Sequence, residues 1–336
     1  MDLLVRAPIA LAPVLLFLAG LVQLDGYKLV RMRMMVALMA TGAVAAGLSY
    51  LLNNVAFAQF HGSFLTYSRY VSPWIEESLK AALLVFLIRT RRVGLPVDAG
   101  IAGFAIGTGF AVIENLYYLA ARPNTVLAVQ VIRGFGTAIM HGGTAAILAM
   151  ISNTLYERRP SGGLHLLLPG LFAAVALHTA YNYLLVRPAL ATLATLLVLP
   201  FVIYLVFDHS ERILRTWIEV DLESDVKRLE SIATGKFLDS PSGRYLQALR
   251  DRFKGEQLAD MLCYLRVHGE LAVRAKGLLL LRETGMPEPP LDPETRGRLT
   301  ELAQLERAIG KTGMLALRPL MMATGKEIWQ LTLLRQ

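Results

Sequence analysis

The sequence predicts an all-α protein in two parts: a polytopic membrane bundle of about seven transmembrane helices with its N-terminus outside, then a small all-α cytoplasmic domain. Three observations predict it. Apolar residues gather in long runs through the first 207 positions, and the composition turns ordinary after them, which divides the chain into 1–207 and 208–336. Lys and Arg flank those runs in alternate loops. Beyond Asp208 the apolar positions follow a helical period, and each part is long enough to bury a core of its own.

Runs of about 20 apolar residues place spans near 8–25, 34–53, 71–89, 98–121, 134–155, 164–186 and 189–207. The first follows Arg6 with no A-x-A cleavage site behind it and is read as a span, not as a removed signal peptide. Lys28, Arg31 and Arg33, then Arg89, Arg91 and Arg92, then Arg158 and Arg159 fall in alternate loops. By the positive-inside rule those loops and the chain after Phe207 are cytoplasmic. The stretch 123–133 is too short to span and is expected to be interfacial or re-entrant. In the tail, helices are expected at 210–232, 245–253, 256–284 and 294–309, with breaks at Gly235, Pro241-Ser242-Gly243 and Pro287 to Pro290. No catalytic motif falls there, His268 is read as a surface residue, and the tail is expected to recruit a cytoplasmic partner, to self-associate or to gate the membrane domain.

The net charge of +8 belongs largely to these flanking residues and to anionic headgroups, so nucleic-acid binding is not expected. The single cysteine, Cys263, excludes an intrachain disulfide and is read as a small buried apolar residue.

Against this apolar background the third span carries Glu76, Glu77 and Lys80. On insertion scales each such charge near a helix centre costs about 2.5 to 3.5 kcal/mol, so the group needs partners or a task. Ser72 is placed to cap this helix and Pro73 to occupy its first position, which puts both carboxylates in the favourable part of the helix dipole. Lys80 is i+4 from Glu76 and i+3 from Glu77, so one glutamate is expected to pair with it and the other to face a pocket. The spacing does not say which.

Outer-loop arginines measure depth. Glu76 is seven residues inside Arg69, Glu114 eight inside Arg122, His141 eight beyond Arg133, and His178 nine before Arg187. At 1.5 Å per residue all four lie roughly 10 to 14 Å from the outer boundary. They therefore share a layer and predict a common polar pocket, with Asn182 one turn beyond His178 on the same face. Gly103 and Gly107 permit the helix bearing Glu114 and Asn115 to approach a neighbour closely.

Two chemistries fit this set. A carboxylate can take the proton of a water while His and Asn donors stabilise an oxyanion. Equally, Glu114, His141 and His178 have the makeup of a three-ligand Zn²⁺ site with an open position, served by Glu76 or Glu77 as base. There is no H-E-x-x-H and no G-x-S-x-G around a serine. Taken singly, each residue also has a structural reading: an ion pair near a helix end for Glu76, Glu77 and Lys80, and an interhelical hydrogen bond for His141.

The set E-E-x-x-K at Glu76 to Lys80, F-x-x-x-E-N at Phe110 to Asn115, the membrane His141, and H-x-x-x-N at His178 to Asn182 resembles the PrsW family of intramembrane proteases. That family is similar in core to the CAAX prenyl endopeptidases and bacteriocin-processing proteins. The resemblance covers roughly 70–185 and implies that Glu76 activates water, Glu77 and Lys80 support it, and His178 with Asn182 stabilises the oxyanion. Glu114 stands where the CAAX enzymes have a histidine. It further implies site-1 cleavage of a membrane-anchored anti-sigma factor near the extracytoplasmic face. Two other classes would use the same residues: a proton- or cation-coupled transporter, and a non-catalytic membrane sensor or scaffold. No inverted repeat and no second polar cluster support a transporter, and 189–207 has no lysine for a retinal Schiff base.

Overall fold

A computed structural model describes residues 32–90, 92–122, 124–159, 162–184, 188–290 and 292–321, with scattered positions in 8–23 and 330–334. The span expected at 8–25 lies largely outside them. Among the described residues the chain is helical, with no strand, and divides into two compact units, Met1–Glu211 and Arg212–Gln336.

The first unit contains α1 (Met32–Ala58), α2 (Phe64–Tyr70), α3 (Ser72–Arg89), α4 (Pro96–Ala121), α5 (Leu127–Arg158) and α6 (Leu168–Leu184), the last led by a 3₁₀ turn at Leu164–Leu167. The next helix, α7, is Pro188–Ala233. Among the described residues, four segments are long and apolar enough to cross a membrane: Met32–Ala58, Pro96–Ala121, Ile132–Arg158 and Leu164–Tyr183. The stretch 71–89, expected to span, forms the 18-residue helix α3, which is not one of these four, since Glu76, Glu77, Lys80 and Arg89 lower its apolarity. The stretch 189–207 forms the beginning of α7.

Glycines set how closely these helices approach. Gly107 faces the backbone of His141, and Gly109 faces the backbone of Met39, so closely that a methyl group at either position would collide with a carbonyl oxygen. Small residues at such contacts let helix backbones touch where lipid supplies no hydrophobic drive. Accordingly α4 and α5 are the centre of the bundle, with 83% of each span buried, whereas only 33% of α1 is buried. Val36, Val44, Leu51 and Val55 leave α1 exposed on one side, the arrangement of a helix with a lipid face.

Two local expectations are corrected. The stretch 123–133 is not a separate interfacial element: from Leu127 it is the start of α5, which continues unbroken to Arg158. Ser72 does not cap α3 either, because Val71 takes the N-cap position in an αR conformation directly after α2. The Ser72 hydroxyl is used by Glu76 instead, at 2.6 Å.

The second unit contains the end of α7, then α8 (Pro241–Ala248), α9 (Gly255–Glu283) and α10 (Pro293–Leu317), which kinks at Gly310 with φ of 71°. Met261, Leu265, Leu271 and Ala275 of α9 form the core with Phe237, Leu246, Leu302, Ile309 and Leu317. Lys276 is buried in this unit, its Nζ 2.6 Å from Asp225, 3.9 Å from Asp221 and 5.1 Å over the Trp217 ring. His268, read from sequence as a surface residue, is half-buried and stacked on Tyr264. Cys263 is free and half-buried.

Candidate active site

Four helices bring the polar layer together. On α3, Glu77 and Lys80 are one turn apart and pair at 2.6 Å with neither side chain exposed. This pair is fully enclosed, so each charge needs further partners. The same Glu77 oxygen, Oε1, receives a hydrogen bond from His178 Nδ1 of α6 at 2.8 Å and one from the Thr144 hydroxyl of α5 at 3.3 Å. Its second oxygen, Oε2, is buried with no hydrogen-bond partner among the described residues. Lys80 in turn meets His141 Nδ1 at 3.0 Å and lies 5.0 Å over the Phe110 ring.

Glu76 is the other glutamate. Its Oε1 accepts from Ser72, and its Oε2 faces His178 Nε2 at 3.8 Å with 15% of the side chain exposed. Glu114 of α4 meets His141 Nε2 at 2.5 Å and is 26% exposed. The two imidazoles lie edge to face, with centroids 4.9 Å apart. The interior of the site is therefore Glu77 and Lys80, and its open side is Glu76 and Glu114.

The partners decide the tautomers. An ionised Glu77 can only accept, so His178 donates from Nδ1, and in its neutral form the ring presents a lone pair at Nε2 toward Glu76. An ammonium can only donate, so His141 accepts at Nδ1 and carries its proton on Nε2, which it gives to Glu114. His178 is thus oriented as a metal ligand is, with the far nitrogen held by a carboxylate. His141 would bind an ion at Nε2 as its other tautomer, with the proton on Nδ1 facing a neutral Lys80.

The other expected site residues serve the backbone. Asn182 donates to the Ser68 carbonyl at 2.9 Å, tying α6 to α2, and Asn115 donates to the Gly134 carbonyl at 2.9 Å, tying α4 to α5. Asn182 was expected beside His178 in an oxyanion pair, but this amide N–H is directed to Ser68. Sequence reading did not single out Thr144 or Phe110 for the site. Thr144 is i+3 from His141 on the same helix face, a spacing that could have revealed it.

A metal was expected on Glu114, His141 and His178. The structure instead clusters Glu76, His141 and His178, one ligand atom from each lying within 4.8 Å of the others. Two imidazoles and a carboxylate are a Zn²⁺ donor set. Three carboxylates surround a single ammonium here, an imbalance that a divalent cation would close, and the orphaned Glu77 oxygen adds to it. On these observations the residues fit a metal.

A bundle of apolar helices enclosing a half-open cluster of histidines and glutamates fits a membrane-embedded hydrolase. The comparison of families agrees: the family model described as PrsW family intramembrane metalloprotease matches residues 30–207, and the chain belongs to that family. Searches of curated proteins and of solved structures found no match.

Proposed function

We propose that the protein is an endopeptidase that hydrolyses a peptide bond of a membrane-anchored protein, with an anti-sigma-factor-like protein as substrate at the first cleavage site. The bundle would have seven spans in a bacterial inner membrane, its N-terminus outside and 208–336 in the cytoplasm. The cleft would then face the extracytoplasmic half, because the site lies toward the helix ends that carry Arg69, Arg122 and Arg133. The alternating basic loops support this orientation.

The observation that carries the chemistry is the 2.8 Å contact of His178 Nδ1 with Glu77, which in the neutral ring leaves the lone pair on Nε2. A nitrogen with no proton cannot donate to an oxyanion but can bind Zn²⁺, which favours a metal site over a metal-free one. His178, His141 and Glu76 would hold the ion, which when bound polarises the scissile carbonyl as a Lewis acid. Glu77 fixes the His178 tautomer, and Lys80 neutralises Glu77. Glu114 is the most open carboxylate of the group and takes the proton of the attacking water, then returns it to the leaving amine. This divides the labour differently from the sequence expectation of Glu76 as base: Glu76 becomes a ligand and Glu114 the base.

The test is cleavage of a single-pass substrate by purified protein in vesicles. His178→Ala and Glu114→Gln should each abolish product while the proteins accumulate and stay folded. Wild-type rates in both variants would refute the proposal.

A further inference from the structure

One to two turns beyond the Glu114–His141 contact, the helices carry further polar residues that the hydrolytic chemistry does not use. On α5, Arg133 and Thr137 are eight and four residues before His141, on one helix face. On α4, Tyr118 is one turn past Glu114, and on α6 Tyr181 is three residues past His178. The hydroxyls of Thr137 and Tyr181 are 3.2 Å apart and buried. The guanidinium of Arg133 lies 3.4 Å from the centre of the half-buried Tyr118 ring. Among the described residues it makes no ion pair, since Glu114, the nearby carboxylate of the site, is held by His141 at 2.5 Å.

The guanidinium over this ring is held by cation–π attraction and by a hydrogen bond with the Tyr118 hydroxyl, which leaves its other N–H groups to donate elsewhere. Those groups match the two oxygens of a carboxylate. Tyr118 stands one helical turn, roughly 6 Å, from Glu114 along α4. An extended peptide advances about 3.4 Å per residue, and residues two apart point to the same side. A substrate strand with its scissile bond at Glu114 and His141 would thus bring the side chain about two residues away over Arg133.

The geometry points to Arg133, held by Tyr118, as a specificity-determining residue that binds an Asp or Glu side chain about two residues from the scissile bond. This rests on the peptidase reading above. Its range is short, because the positive charge faces a strand and not bulk solvent, and the Tyr118 platform limits the positions it can reach.

The probe is a set of single-pass transmembrane peptides in vesicles, identical except for one Asp moved residue by residue through the cleaved region, with products identified by mass spectrometry. The wild type should favour the peptide whose Asp lies about two residues from the cut, by about 10- to 100-fold in kcat/KM, carried by KM. Arg133→Lys should keep part of that preference, Arg133→Gln should remove it while leaving kcat near wild type, and Arg133→Glu should transfer it to a Lys-scanned set. A wild type with no preference for any Asp position, or an unchanged preference in Arg133→Gln, would overturn the assignment. Loss of kcat on every peptide in Arg133→Lys as well as Arg133→Gln would also overturn it, since that marks a structural role. If the wild type cuts no peptide and Glu114→Gln behaves identically, the peptidase reading itself fails and the subsite with it.

Discussion

Both units of the chain bury a lysine against a carboxylate at 2.6 Å: Lys80 with Glu77 in the bundle and Lys276 with Asp225 in the C-terminal unit. The pairs look alike and their surroundings do not. Lys276 is enclosed by two aspartates and the Trp217 ring. Around Lys80 there are two imidazoles and two further carboxylates, and the latter are 15% and 26% exposed. A buried ion pair is therefore weak evidence of function on its own. What distinguishes the bundle is unbalanced acceptor charge that reaches an opening, with one histidine lone pair directed into it.

The comparison breaks most sharply at Glu114. Glu114→Gln should lower kcat by about 10²- to 10⁴-fold, the range for removing a general base, measured as product formation from a single-pass substrate. A fall of less than tenfold would mean that the bundle cluster is as structural as the one around Lys276. Next is Gly107, whose substitution tests whether helix approach positions the chemistry. Gly107→Ala pushes against the His141 carbonyl, and a displacement of about 1 Å should cost about 10²-fold in kcat/KM with the protein still folded. Normal kinetics would show that the contact has slack.

In the C-terminal unit the same kind of change should act on stability and not on turnover. Asp225→Asn leaves Lys276 buried without its nearest charge and should destabilise that unit by about 3 to 5 kcal/mol, read from denaturant unfolding followed at Trp217. Cleavage per folded molecule by the bundle should stay unchanged. A loss of cleavage equal to that of Glu114→Gln would erase the distinction between the two clusters.

The smallest effect is one of pH. Burial pushes the His268 imidazole down to about 4 from its ordinary 6.5. The unfolded chain therefore takes up the proton first as pH falls. The stability that depends on neutral His268 is complete above about 6.5 and is lost as pH drops toward about 4. His268→Gln should flatten the unfolding midpoint of that unit across this window, and an unchanged slope would show that other groups set it.

Much of this was legible in sequence because membrane insertion makes charge conspicuous. Glu76, Glu77, Lys80, Glu114, His141 and His178 each stood out from an apolar run, and helical rise alone placed four of them in one layer. Pairing between helices was less legible. Spacing put Lys80 within reach of both glutamates, and only packing shows that Glu77 takes it, because Glu77 faces α5 and α6 while Ser72 holds Glu76 back. Asn182 met a similar limit: sharing a face with His178 did not reveal its bond to the Ser68 carbonyl one helix away. The stretch 123–133 was set apart because it is too short to span a membrane by itself, yet from Leu127 it is the start of α5. In the C-terminal unit the helices followed their period and breaks, but His268 was misread, since one histidine in a polar sequence carries no signal of burial.

The central claim is that the bundle cluster, unlike the one around Lys276, is built to hold a divalent ion. Equilibrium dialysis of chelator-treated protein against Zn²⁺, with bound metal counted by mass spectrometry, tests it directly. The account predicts one ion per chain in the wild type, in Glu114→Gln and in Asp225→Asn, and loss of that ion in His178→Ala and Glu76→Gln. Zinc retained at full occupancy in His178→Ala and Glu76→Gln, or no zinc bound by the wild type, would contradict it.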